Sequence, residues 1–138
     1  MTTPTRLAAA LLAVALAACA TPPAKSVKPL ASVSGMVTFE EPITLSPDAV
    51  VTVQLIDVSR QDVASMVLAE QIITSAGTSP IPFELSYDPD AIAANHSYAV
   101  QARIEWEGRL LFVNNARHCA ITRGCPNRLE VAVVAVGH

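Results

Sequence analysis

The stretch Tyr98-Ala99-Val100-Gln101-Ala102-Arg103-Ile104-Glu105-Trp106-Glu107-Gly108-Arg109-Leu110-Leu111-Phe112 decides the fold class. Tyr98, Val100, Ala102, Ile104 and Trp106 fall at every second position, with Gln101, Arg103 and Glu105 between them. Successive side chains of an extended backbone point to opposite faces, so this spacing predicts a strand with one buried and one wet side. Glu107-Gly108 then supplies a two-residue polar turn, and Leu110 with Phe112 forms the return strand of a hairpin.

Working outward, the same two-residue period recurs. Val51, Val53 and Leu55 alternate with Thr52 and Gln54; Val33, Val37 and Phe39 flank Gly35; Leu129, Val131 and Val133 close the series. Phe83 and Leu85 make a short strand after Pro80 and Pro82. Turn formers separate the runs at Ser46-Pro47-Asp48, Ala76-Gly77-Thr78, Asp88-Pro89-Asp90 and Arg123-Gly124. Residues 62–74 admit two readings. Val63, Met66, Val67 and Glu70 fit a helix capped by Asp62, whereas Val67, Ala69, Gln71 and Ile73 would line one face of a strand. A strand over Met66–Thr74 is favoured, because a lone helix would need a sheet face to cover. The expectation is an all-β chain, an antiparallel β-sandwich of about seven to eight short strands over residues 33–138.

Composition agrees with a single domain. The chain has 138 residues, 51% of them hydrophobic and 15% charged, which excludes disorder as the dominant state. Nine Lys and Arg against twelve Asp and Glu leave a net charge of −3. Phosphate contact needs a basic surplus, so no nucleic acid is expected as a partner.

The N-terminus reads as an address. Arg6 precedes an unbroken apolar stretch from Leu7 to Ala18, too short to span a bilayer and suited to the core of a signal peptide over residues 1–18. It ends in Leu16-Ala17-Ala18-Cys19, which resembles the lipobox of bacterial lipoprotein precursors. That resemblance implies cleavage before Cys19 and a diacylglycerol on its thiol, a step that needs a soft, ionisable nucleophile. Ordinary secretory cleavage at Ala18-Cys19-Ala20 and a buried helix are the competing readings. Residues 19–32 then form the lipidated end and a tether. Pro22, Pro23 and Pro29 block helix, while Lys25 and Lys28 keep the segment wet or meet anionic head groups. Ala20 by resemblance favours transfer to the outer membrane, since the inner-membrane lipoproteins of enteric bacteria typically carry Asp there.

The search for chemistry is mostly negative. His96, His118 and His138 sit in a turn, a loop and the terminus, outside any spaced metal motif, and the five glycines build no phosphate-cradling loop. Glu40 and Glu41 are adjacent and point to opposite faces of an extended chain. Ser59, Arg60 and Asp62 read as turn formers, although a deep pocket joining Arg60, Asp62 and His96 would reopen the case for an enzyme. Cys119 and Cys125, beside His118, are expected to form a disulfide. A zinc or copper site would need another ligand, and a redox pair would use a Cys-x-x-Cys spacing that is absent. Trp106, Tyr98 and Phe112 read as core before they read as a ligand cavity. The expected catalytic set, metal set and cofactor are all none.

Taken together, Val33-Ser34-Gly35-Met36-Val37-Thr38, the run Asp48 to Arg60, Ile81-Pro82-Phe83-Glu84-Leu85, Tyr87-Asp88-Pro89, Tyr98 to Ile104 and Gly108-Arg109-Leu110-Leu111-Phe112 resemble the YbaY/YscW-type lipoprotein domain of Gram-negative bacteria. The resemblance implies a β-sandwich lipoprotein at the periplasmic face of the outer membrane. One branch of that family comprises pilotins of type III secretion, which help a secretin ring assemble; the broader branch, closer to this chain, has no settled activity. The Cys119…Cys125 pair departs from the family pattern. The functional expectation is a non-catalytic binding or assembly module for an envelope protein, held to the membrane through Cys19. The alternatives are an envelope inhibitor or carrier of an apolar ligand, and a pilotin for a secretin.

Overall fold

A computed structural model describes Thr2 and residues 28–137. Apart from Thr2, the expected signal peptide, Cys19 and the expected tether up to residue 27 lie outside the described residues. Eight strands follow in order: β1 (Ala31–Phe39), β2 (Val50–Asp57), β3 (Met66–Thr74), β4 (Ile81–Tyr87), β5 (Tyr98–Trp106), β6 (Arg109–Asn114), β7 (His118–Ala120) and β8 (Arg128–Ala135). A short 3-10 turn, Pro89–Ala91, is capped by the Asp88 carboxylate, which accepts from the Asp90 amide at 2.9 Å. Among the described residues no helix is long and apolar enough to cross a membrane.

The all-β expectation holds, and the strands form one rolled sheet in the order β3-β2-β5-β6-β8-β1-β4, with β7 added to β5. The two layers expected of a sandwich are the two halves of this sheet, which nearly closes into a barrel. Every strand pair is antiparallel except β1 with β8. The end strands β3 and β4 meet at a seam, where the Gln71 side-chain oxygen accepts from the Glu84 backbone N–H at 2.8 Å. Register assigns residues to two ends. Ala31, Asp57, Met66, Tyr87 and Tyr98 lie at the proximal end, where the chain enters β1, and Val50, Thr74, Glu105 and Arg109 lie at the distal end.

The interior follows the alternation read from the sequence. Val51, Val53, Leu55 and Ile104 are fully buried, with Val33, Val37, Val131 and Val133 facing them. Each such side chain contributes roughly 1.5–3 kcal/mol by leaving water. Glu107 and Gly108 both have positive φ, 50° and 74°, as a two-residue hairpin turn matched to the strand twist requires. At Gly35 an added Cβ would overlap the Leu129 carbonyl oxygen, so only glycine lets β1 and β8 approach this closely.

Four details differ from expectation. In β3 a bulge opposite Leu55 and Ile56 inserts Leu68, so Leu68, Ala69 and Ile73 pack on the core while Val67 turns outward. Thr52 and Gln54, expected on a wet face, are buried because β2 is flanked on both sides. Gln54 is satisfied there by a cross-strand chain, accepting from Gln101 at 2.7 Å and donating to Glu70. His118, expected in a loop, opens β7, whose three residues pair with Tyr98–Val100 and are too few to show a period. Lys28 and residues 29–32, expected in the tether, are part of the domain: Ala31 pairs with Tyr87, and Lys28 forms ion pairs with Asp88 and Asp90.

Candidate functional site

Two surfaces concentrate unusual groups, and both involve β3. The first is the loop from β2 to β3 at the proximal end. β2 ends at Asp57, whose carboxylate accepts the Ser59 amide at 2.9 Å and turns the chain. Val58 donates to the Ser97 carbonyl at 2.9 Å, and Ser59 Oγ accepts from the Ser97 amide at 2.8 Å, which lashes this loop to the β4–β5 crossover. His96 Nδ1 then lies 2.7 Å from Asp57 Oδ2. Partial burial pushes the Asp57 carboxyl up. The hydrogen bonds of Ser59 and the bond and charge of His96 together outweigh it and hold the group below 3.8.

Asp57, Arg60, Val63, Ala64, Met66 and His96 line a cavity of about 240 Å³. The pocket therefore joins Arg60 and His96, with Asp57 in the place imagined for Asp62. Ser59 makes no hydrogen bond to His96 and so completes no serine–histidine pair; its hydroxyl accepts the Ser97 amide at 2.8 Å and faces the Asp57 carboxylate. Among the described residues no group of three or more His, Cys, Asp and Glu is placed to hold a metal ion. The polar cluster organises a loop, and the exposed walls of the cavity combine Arg60 with two apolar side chains, Val63 at 55% and Met66 at 70% accessible.

The second surface is the outward face of β3. Val67 is 46% and Ile72 60% accessible, and the edge of β3 away from β2 forms no backbone ladder among the described residues. Edge strands carry unpaired amide and carbonyl groups and invite an added strand or an apolar partner. The seam bond from Gln71 covers only one position of that edge. In the sequence, Gln71-Ile72-Ile73 offered a clue, since two adjacent isoleucines in a strand must face opposite sides.

The remaining flagged residues scatter. Cys119 and Cys125 are joined in a disulfide that closes the loop after β7, with Cα atoms 5.6 Å apart. Inside that loop Cys125 donates to the Thr122 carbonyl, and Thr122 Oγ1 donates to the His96 carbonyl at 2.6 Å. Tyr98 and Trp106 sit at opposite ends of β5. The Tyr98 hydroxyl accepts from the Ala93 amide at 2.8 Å, and Phe112 packs edge-on against Phe39 with ring centres 5.0 Å apart. These aromatic rings share no single cavity. Burial of Tyr87 pushes its hydroxyl pKa up, in keeping with a structural ring at the end of β4.

Known proteins share this architecture. The chain is 35% identical over 94 residues to an uncharacterized lipoprotein, YbaY, of Escherichia coli K12, a match covering 67% of this chain and 50% of that protein. It thus spans about half the length of this curated relative. An alternative pilotin from the type II secretion system of Vibrio cholerae superposes with a TM-score of 0.75 at 35% identity, covering 80% of this chain and all of the solved one. Residues 28–133 match the family described as type III secretion system lipoprotein chaperone, YscW, and the chain belongs to that family.

Proposed function

We propose that this protein is a non-catalytic lipoprotein of the periplasmic face of the outer membrane. It is anchored through Cys19 and assists assembly of a secretin-type ring component. The observation that carries the reading is the pair of exposed apolar side chains Val67 and Ile72, which flank Glu70 on the outward face of β3, a strand with an unladdered edge. Support also comes from the relatives, one a pilotin and one a lipoprotein, and from the lipobox-like Leu16-Ala17-Ala18-Cys19. A chaperone of this kind needs a surface that the partner covers and a lipid that fixes where the pair travels.

Two measurements test it. Labelled palmitate should enter the wild-type protein and be lost in Cys19→Ala. Depleting the protein should remove secretin multimers from the outer-membrane fraction, with wild type restoring them and Ile72→Asp failing to do so while remaining folded. Multimers that assemble normally without the protein would refute the assembly role.

A further inference from the structure

We propose that the proximal rim of the barrel seats on a lipid bilayer, with Val63 and Met66 entering the interface and Arg60 meeting the head groups. The inference rests on Cys19 as the anchor for its geometry, and adds a second, non-covalent contact made by the folded domain itself.

Position is the first argument. Lys28 is tied to Asp88 and Asp90 at the proximal end, and Ala31 starts β1 there. The segment leading back to Cys19 therefore leaves from the same end as the Val63–Met66 loop. From Cys19 to Lys28 the chain reaches at most ~30 Å even when fully extended. A lipid on Cys19 thus attaches the domain to the membrane from this end.

Chemistry is the second. Val63 and Met66 are exposed walls of their cavity, at 55% and 70%, and the exposed Arg60 stands beside them. Apolar side chains beside a cation suit the boundary between acyl chains and phosphates. The acids of this end are largely occupied: Asp57 by His96 and Ser59, Asp88 and Asp90 by Lys28, leaving Asp62. Arg123 adds a cation at this end, with Nη2 donating to the Asn95 carbonyl at 2.9 Å. The opposite end carries Glu40, Glu41, Asp48, Glu105 and Glu107 against Arg103 and Arg109, and an anionic surface would repel it. The molecule is polarised in the sense that end-on seating requires.

The test uses the full chain from host membranes, reconstituted in vesicles of phosphatidylethanolamine with a minority of phosphatidylglycerol, with and without brominated acyl chains. Bromine should quench the fluorescence that Val63→Trp adds to wild type about twofold and leave that added by Ile72→Trp, and the native Trp106, unchanged. Equal quenching at positions 63 and 72, or none at 63, overturns the proposal. On the same vesicles the chain of residues 19–138 with Cys19→Ser, which carries neither the apolar Leu7–Ala18 stretch nor a lipid, should partition weakly, and adding Val63→Asp with Met66→Asp should reduce this roughly tenfold. No reduction, or no partition to reduce, also overturns it. Thermal unfolding of the double variant checks that the fold persists. A photo-crosslinker at position 63 that captures protein instead of lipid counts against the bilayer as the occupant. Failure of the anchor reading looks different: the intact mass of wild type shows a bare Cys19, and the Cys19→Ser partition arm reads the rim independently.

Discussion

β2 and β3 are neighbours, antiparallel and of nearly equal length, yet they occupy opposite environments. β2 pairs on both edges and is buried along Val51–Ile56, down to its polar Thr52 and Gln54. β3 pairs on one edge, carries a bulge, and leaves Met66, Val67 and Ile72 in water. Apolar content does not separate the two strands. Position in the rolled sheet does: a strand with neighbours on both sides supplies stability, and the strand at the seam supplies surface. A soluble domain that exposes isoleucine at a sheet edge keeps an aggregation hazard unless a partner covers it.

Substitutions sharpen this contrast. Leu55→Ala in β2 should destabilise the fold by about 3 kcal/mol, whereas Ile72→Ala in β3 should change it by no more than about 0.5 kcal/mol. Urea unfolding of both proteins measures the gap, and equal losses would break the comparison. Next in size, replacing Cys119 and Cys125 by serine should cost about 2 kcal/mol, the loop-closure contribution expected for so short a ring. Hydrogen exchange should then speed up in β7 and where it covers β5, leaving the seam unaffected.

Smaller effects follow at the seam and the loop. Gln71→Ala should cost about 1 kcal/mol or less, because the freed Glu84 amide is exposed and can turn to water. Faster exchange of that amide is the readout. Asp57 is held below 3.8, so its contribution to stability is present above that value and is lost as pH falls through the lower folded-state pKa. Wild type should therefore exceed Asp57→Asn in stability at neutral pH, the two converging as acidification takes the pH through and below the ordinary carboxylate range. An unchanged gap across that range would remove the loop's electrostatic role.

The sheet was readable where one face is dry and the other wet. Tyr98 to Trp106 and the Glu107-Gly108 turn announce their hairpin because burial alternates over the middle of β5, from Val100 to Glu105. Met66–Thr74 was readable as a strand, but its facing was not: the Leu68 bulge depends on the partner strand, and nothing local marks it. The seam was hidden for the same reason, since which strands end a sheet is a property of pairing. The Asp57–His96 contact joins residues 39 positions apart and leaves no spacing to detect. The exposed Ile72 could have been found, because Ile73 beside it takes the inward place.

The parallel pairing of β1 with β8 carries a temporal consequence. The first strand of the domain lacks one of its two neighbours until Arg128–Ala135 arrives, nearly a hundred residues later. A polypeptide emerging N-terminus first from a ribosome stays open until β8 has emerged. Topologies of that kind fold late and slowly, which makes the pairing of β1 with β8 the closing event of the domain's folding.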